Sequence, residues 1–236
     1  MLLDFDRYTS ISFDCYGTLI DWESGIVSGL QPVLQNHGIK ASDEEILELH
    51  AQTEHKLQAS STKENYVKYR HILEEEVREA SRRWDFEAEP SEVRALADSL
   101  RYWKPFSDTV EALKALKERY KLAIISNVDD GLFALTACHL EVEFDWIITA
   151  EQVGTYKPSK NNFEIALERM GIQKGKLLHA AESLFHDITP ATELGISTVW
   201  VHRRTEKAGF GATPPANAKP DLEVPDLKTL VSAASL

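Results

Sequence analysis

The sequence predicts an α/β fold: a doubly wound, Rossmann-like parallel sheet core with an inserted helical cap domain. Two observations favour this architecture. After residue 106, short apolar runs alternate with helical patterns, as expected for parallel strands joined by helices. Residues 21–100, in contrast, show helical patterns and little strand signal. We therefore assign residues 1–20 and 101–236 to the core and residues 21–100 to the cap, and the length of 236 residues suits this division.

The first part of the chain contains one expected strand followed by the cap helices. An apolar and β-branched run, Tyr8–Phe13, is typical of a buried strand. Ser42 and Glu45 have the spacing of a capping box and mark the start of a long helix. Apolar residues at helical spacing and end signals predict cap helices at 22–36, 42–60, 63–84 and 90–100.

The second part of the chain alternates strands and helices. Strands are expected at 122–127, 146–150, 177–181 and 197–201, and helices at 108–120, 130–139, 161–170 and 190–194. A stretch rich in Gly, Pro and Ala, residues 209–220, is expected to be a surface loop. The tail from Pro225 is expected to form one short amphipathic helix.

Polar side chains follow three of the predicted strands, and a lysine lies before a proline between two of them. In a parallel sheet the carboxyl ends of the strands lie on one edge, where ligands bind, so we expect these groups to converge. Each has a structural alternative, as a turn former, a helix cap or a solvated charge. The residues are Asp14, Ser126, Asn127, Lys157, Glu182 and Asp187.

Asp14 is the central candidate among these residues. Gly17 lies in the middle of the segment that follows it, where a tight turn needs a flexible backbone. Asp14 alone can be interpreted as an Asx-turn cap or as a nucleophile, because carboxylates form esters or acyl phosphates that water later cleaves.

The polar segments together resemble the four motifs of the haloacid dehalogenase-like superfamily of hydrolases. The matching segments are Asp14-Cys-Tyr-Gly-Thr18, Ser126-Asn127, Lys157-Pro158 and Glu182-Ser-Leu-Phe-His-Asp187. The resemblance covers nearly the whole chain and implies that Asp14 is the nucleophile, that Lys157 holds it together with the substrate's anion, and that Asp187 orders the loop or positions the hydrolytic water. The substrate-binding residues that it implies are Tyr16, Thr18, Ser126, Asn127 and His50.

The reaction type depends on the residue two positions after the nucleophile. Phosphatases of the superfamily carry a second aspartate there, which acts as the general acid for the leaving group, whereas this chain has Tyr16, as in the 2-haloacid dehalogenases. Halide is a weak base that leaves without a proton, whereas an alkoxide needs one. The resemblance therefore implies hydrolytic dehalogenation of a small 2-haloacid, and a Mg²⁺-dependent phosphatase or a non-catalytic relative are the alternatives.

Several positions depart from the dehalogenase pattern. His50 and Phe163 stand where those enzymes carry an arginine and a tyrosine, and Glu182 and Leu184 replace a serine and an asparagine. Glu182 and Asp187 resemble the acidic pair of the phosphatases. If Mg²⁺ is bound, the expected ligands are Asp14, the carbonyl of Tyr16, Glu182 and Asp187, since Mg²⁺ prefers oxygen. Otherwise Glu182 is expected to form a salt bridge with Lys157.

The charge balance limits the partners. The 26 basic and 38 acidic residues give a net charge of −12, which argues against binding to nucleic acid or to an anionic membrane. We expect a small anionic substrate, a monomer or homodimer, and no required cofactor, with Mg²⁺ as an open alternative. Two cysteines and no signal-like N-terminal segment lead us to expect a cytoplasmic protein.

Overall fold

The computed structural model describes residues 3–203 and 216–236. Within these ranges the chain forms a parallel sheet of six strands in the order β3-β2-β1-β4-β5-β6. The strands are β1 Ser10–Phe13, β2 Lys121–Ser126, β3 Trp146–Thr149, β4 Leu177–Ala181, β5 Ser197–Val201 and β6 Leu222–Val224. The predicted α/β class and parallel sheet are confirmed.

Helices connect the strands and flank the sheet. The helices are α1 Trp22–Asn36, α2 Asp43–Ser60, α3 Tyr69–Arg83, α4 Pro90–Ser99, α5 Thr109–Lys117, α6 Asp130–Ala137, α7 Ala150–Val153, α8 Asn161–Met170, α9 Thr189–Glu193 and α10 Leu227–Ala233. Helices α1 to α4 pack on one another and form the helical layer expected between residues 21 and 100. The division of the chain at these two boundaries stays a prediction. No helix in the described part of the chain combines the length and the hydrophobicity needed to cross a membrane.

Strand β1 occupies the middle of the sheet. It pairs with β2 on one side and with β4 on the other, and all four of its residues are buried. Because parallel strands end at the same edge, this position brings the residues after β1, β2 and β4 together.

Two apolar clusters cover the two faces of the sheet, as expected for a doubly wound fold. The larger cluster joins Phe13 of β1 to cap residues such as Leu30 and Ile72, so cap and core share apolar packing. The smaller cluster includes Ile125 and Phe163.

The structure differs from the predicted elements at the start of α3 and at β6. The helix expected from residue 63 begins at Tyr69, because Asp129 of the core accepts hydrogen bonds from the backbone N–H groups of Tyr69 and Arg70 at 2.9 and 2.8 Å. Strand β6 was not predicted, since its three residues follow a loop-like stretch. Of the expected loop at 209–220, residues 209–215 lie outside the described residues.

Helix α1 packs closely on Trp103 at a residue without a side chain. A Cβ atom added to Gly25 would lie 2.4 Å from Cδ2 of Trp103. Trp103 in turn makes an edge-to-face contact with Tyr16, with ring centroids 5.8 Å apart. The packing of α1 therefore supports the segment that follows β1.

We expect Gly25→Ala to lower the free energy of unfolding by about 1–3 kcal/mol, because the new methyl group overlaps the indole ring. Urea unfolding of the variant and the wild type measures this change. Gly131→Ala is the matched control, since an added Cβ there meets nothing within 4 Å, and it should change stability by no more than about 1 kcal/mol. Equal stability of the two variants would contradict the prediction.

Candidate active site

The segment after β1 turns sharply at Gly17. Its φ angle is +94°, a conformation that favours glycine, and an added Cβ would lie 2.9 Å from Nε1 of Trp22. The Gly17 N–H donates to the carbonyl of Ile20 at 2.8 Å, which closes the turn. Glycine is therefore needed here both for the backbone angle and for the approach of Trp22.

The carboxylate of Asp14 lies at the carboxyl end of β1 and is nearly buried, with 7% of the residue exposed. One oxygen, Oδ2, accepts a hydrogen bond from Thr18 Oγ1 at 3.0 Å, and Oδ1 accepts one from Lys157 Nζ at 2.8 Å. Thr18 Oγ1 itself accepts from the Glu182 N–H at 3.0 Å. Burial raises the pKa of Asp14, and Lys157 opposes that rise. The hydrogen bonds orient both carboxylate oxygens.

Lys157 is buried and uses all three of its ammonium hydrogens. They go to Asp14 Oδ1 at 2.8 Å, to Asp187 Oδ1 at 2.6 Å and to the carbonyl of Ile125 at 2.8 Å. Burial alone disfavours the charged form, but Asp14 and Asp187 outweigh it and raise the pKa of Lys157. The lysine is therefore a fixed positive charge shared by two carboxylates.

The side chain of Asn127 positions Lys157 by bonding to the backbone of the lysine. Its Oδ1 accepts from the Lys157 N–H at 2.7 Å, and its Nδ2 donates to the Lys157 carbonyl at 3.0 Å. The peptide bond between Lys157 and Pro158 is cis. Both polar ends of the Asn127 amide are thus used to join β2 to the lysine loop.

Asp187 lies in a π-helical turn, Leu184–Ile188, after β4. Its Oδ1 accepts from Lys157 and also contacts His179 Nε2 at 2.9 Å, and His179 Nδ1 contacts Ser12 Oγ at 2.9 Å. Burial acts to raise the pKa of Asp187, but Lys157 and His179 bring it below its usual value. Asp187 is therefore held as an anion that anchors Lys157.

A small cavity opens over Asp14 and leaves about 60 Å³ for the centres of water molecules. Residues of the core loops and of the cap line it together. They are Asp14, Tyr16, Trp22, Glu54, Tyr69, Ser126, Asn127, Lys157, Glu182, Ser183, His186 and Asp187. The polar residues predicted at the ends of β1, β2 and β4 therefore do converge on one space.

The haloacid dehalogenase-like hydrolase family model matches residues 11–201. The chain belongs to this family. It is 28% identical over 230 residues to the (S)-2-haloacid dehalogenase of Pseudomonas sp. (strain YL), covering 96% of this chain and 94% of that protein. It is also 30% identical over 127 residues to a pyrimidine 5'-nucleotidase of Escherichia coli (strain K12), covering 50% of this chain and 55% of that protein.

The fold agrees with this family. The L-2-haloacid dehalogenase of Xanthobacter autotrophicus, solved with chloropropionic acid covalently bound, superimposes with a TM-score of 0.82. The match covers 97% of this chain and 98% of that one, at 19% identity. This likeness supports the prediction of a Rossmann-like core carrying a cap.

The arrangement does not fit a Mg²⁺ ion among the four expected ligands. Both oxygens of Asp14 accept hydrogen bonds, and Oδ1 of Asp187 contacts Lys157 and His179. In residues 3–203 and 216–236, no group of three or more His, Cys, Asp or Glu side chains could hold a metal ion. Lys157 also offsets part of the negative charge of Asp14 and Asp187, which weakens the attraction of the site for a cation.

Two of the predicted substrate-binding residues have distinct environments. The hydroxyl of Tyr16 contacts Thr136 Oγ1 at 2.9 Å, and burial raises the pKa of this phenol well above its ordinary value. Ser126 Oγ is buried and has no hydrogen-bond partner among the described atoms, so it has a free hydroxyl beside the cavity.

His50 lies behind the cavity wall. It is fully buried, its ring lies 5.0 Å from that of Trp22, and its Nδ1 contacts Glu76 Oε2 at 2.7 Å. His50 is not among the described residues that line the cavity. Burial acts to lower the pKa of His50, but Glu76 and the nearby Glu54 and Glu23 raise it to about 9. Its position supports Trp22, and direct contact with a substrate stays a prediction.

Several lining residues were not identified from the sequence. Ser183 and His186 lie inside the last motif, but at positions for which the resemblance implied no role. Glu54 is four residues after His50 on α2 and so lies on the same helix face. Tyr69 starts α3, where only the tertiary cap by Asp129 marks the helix start.

The buried pair between His50 and Glu76 should keep the imidazole charged at pH 7. We expect the His50 ring to titrate near pH 9 by NMR, compared with an ordinary value of about 6.5. Because the folded-state value is the higher one, the contribution of the His50 charge to stability is complete below about pH 6.5 and is lost as the pH rises through about 9. Burial raises the pKa of its partner Glu76 above the ordinary value.

Glu76→Gln should move the His50 midpoint below that of the wild type, because burial then acts without its anionic partner. Glu44→Gln, an exposed carboxylate on α2, is the control and should leave the midpoint unchanged. A wild-type midpoint at or below 6.5 would show that the imidazole is not stabilised as a cation.

Proposed function

We propose that this protein hydrolyses the carbon–halogen bond of a small 2-haloacid through a covalent ester on Asp14. The observation that carries this proposal is the residue two positions after the nucleophile. Tyr16 is a phenol of raised pKa whose hydroxyl is bonded to Thr136, and it is a poor proton donor to a leaving group. A site with one nucleophile and no acid at this position suits a leaving group that needs no proton.

The first step is displacement at carbon. An Asp14 oxygen attacks the carbon that carries the halogen, a C–O bond forms, and the halogen leaves with the bonding pair as halide, inverting the carbon. Lys157 and Thr18 hold the carboxylate in place for this attack. Asp187 keeps Lys157 in position and offsets its charge.

The second step is hydrolysis of the ester. Water adds to the Asp14 carboxyl carbon, the bond from that carbon to the ester oxygen breaks, and a 2-hydroxy acid leaves with the oxygen that Asp14 supplied in the first step. One water proton goes to the product hydroxyl and the other to solvent, which regenerates the Asp14 carboxylate. The reaction needs no cofactor, since Lys157 supplies positive charge at the nucleophile.

The size of the cavity supports a small substrate. The space open to the centres of water molecules is about 60 Å³, and it lies among largely buried side chains. Such a space suits a haloacid of two to four carbons better than a nucleotide. We propose a small anionic substrate and a cytoplasmic enzyme acting as a monomer or homodimer.

A Mg²⁺-dependent phosphatase is the second candidate. Glu182 lies at the cavity, and half of the chain is similar to a nucleotidase. The bonds of Lys157 to Asp14 and Asp187 count against it, because the ammonium offsets part of the negative charge that would attract a magnesium ion.

Asp14→Asn should abolish turnover, with activity reduced at least about 1,000-fold, because an amide is a far poorer nucleophile. Halide release measures this loss. Asp43→Asn, an exposed carboxylate at the start of α2, is the matched control and should keep full activity.

A single turnover in ¹⁸O water with enzyme in excess should place the label in Asp14. Label found only in the product would contradict the ester intermediate.

Chelation should distinguish the two candidate reactions. We expect halide release from 2-chloropropionate to survive EDTA and to fail in Lys157→Met, which removes the charge that holds Asp14. Phosphate release from p-nitrophenyl phosphate, measured in parallel, should stay at background with or without Mg²⁺. Phosphatase activity that EDTA removes and Mg²⁺ restores would favour the second candidate.

A further inference from the structure

Glu54 brings a carboxylate from the cap to the cavity wall. It lies on α2, and its side chain is 17% exposed. Tyr69 of the neighbouring helix α3 lines the same cavity, and burial together with the Glu54 carboxylate raises the pKa of its phenol. His186 of the core contributes to the same cavity and interacts electrostatically with Glu54. Glu54 therefore brings an acidic group of the cap to the space over Asp14.

The positively charged groups at or behind the cavity are already paired with protein carboxylates. His50 Nδ1 contacts Glu76 at 2.7 Å, and His50 Nε2 forms an ion pair with Glu54 at 3.8 Å, which is too long for a hydrogen bond. The three ammonium hydrogens of Lys157 are bonded to Asp14, Asp187 and Ile125. A second carboxylate on a substrate would meet the like charge of Glu54, and Lys157 has no remaining ammonium hydrogen to donate to it. Repulsion between like charges is a strong means of excluding a substrate.

The core side of the cavity has a different character. Ser126 is 1% exposed and its Oγ has no hydrogen-bond partner among the described atoms, so its hydroxyl is free to donate to the carboxylate of a 2-haloacid. A substrate with that carboxylate at Ser126 and its reacting carbon at Asp14 leaves its remaining substituent to meet the cap residues of the cavity, and among the described ones Glu54 carries the charge.

We propose that Glu54 determines substrate specificity. It accepts a hydrogen bond from a donor, such as a hydroxyl group, on the substituent carried by the halogenated carbon, and it excludes a substituent that ends in a second carboxylate. The inference rests on the proposed function and names the class of 2-haloacid that the cavity takes.

Three substrates that differ only at this substituent test the proposal: 2-chloropropionate, 2-chloro-3-hydroxypropionate and 2-chlorosuccinate. Halide release gives kcat/KM for each. The wild type should use the hydroxy compound about 10-fold better than 2-chloropropionate, and 2-chlorosuccinate at least about 100-fold worse than the hydroxy compound.

Two variants separate charge from hydrogen bonding. Glu54→Gln keeps an acceptor and removes the charge, so it should raise kcat/KM for 2-chlorosuccinate at least about 10-fold while the preference for the hydroxy compound is retained. Glu54→Leu removes both, and the hydroxy preference should disappear as well. Thermal unfolding of each variant checks that it folds. Glu44→Gln, an exposed carboxylate on the same helix, should leave all three values unchanged.

The same order of substrates in Glu54→Gln, Glu54→Leu and the wild type would overturn the role of Glu54 and leave the proposed function standing. Absence of halide release from all three substrates in the wild type would overturn the proposed function, and this inference with it.

Discussion

The ammonium of Lys157 is the interaction on which the rest of the site depends. It is buried between the carboxylates of Asp14 and Asp187 and bonds to both through single oxygens at 2.8 and 2.6 Å. Such a charge is stable in the interior only when its partners are in place. The Asn127 amide, the His179 ring and the π-helical turn after β4 each position one member of this group. The loops at the sheet edge are in this sense built around one cation.

Much of the fold and the main contacts of the nucleophile could be predicted from the sequence. Strand and helix patterns predicted five of the six described strands, because buried strands of a parallel sheet are continuous apolar runs. The convergence of Asp14, Ser126 and Asp187 could be predicted from their positions after three parallel strands, since parallel strands end at one edge of the sheet. Strand β6 was missed because its three residues are too few to show a period.

The cap side of the site could not be predicted in the same way. The residues that the cap contributes to the cavity, Trp22, Glu54 and Tyr69, come from three different helices, and their convergence depends on how those helices pack. A helical period indicates which face is apolar but not which neighbour that face meets. For the same reason the contact of His50 with Glu76, 26 positions away, has no signal in the sequence.

The division of the cavity between the central strand and the cap has an evolutionary consequence. Asp14 follows a strand that is buried on all sides, so almost any substitution near it disturbs packing as well as chemistry. Glu54 and Tyr69, two of the cap residues that face the cavity, are separated in the chain from the nucleophile loop, and neither is bonded to Lys157. A lineage with this architecture can therefore acquire new substrates by mutation of its cap while one hydrolytic centre is inherited unchanged.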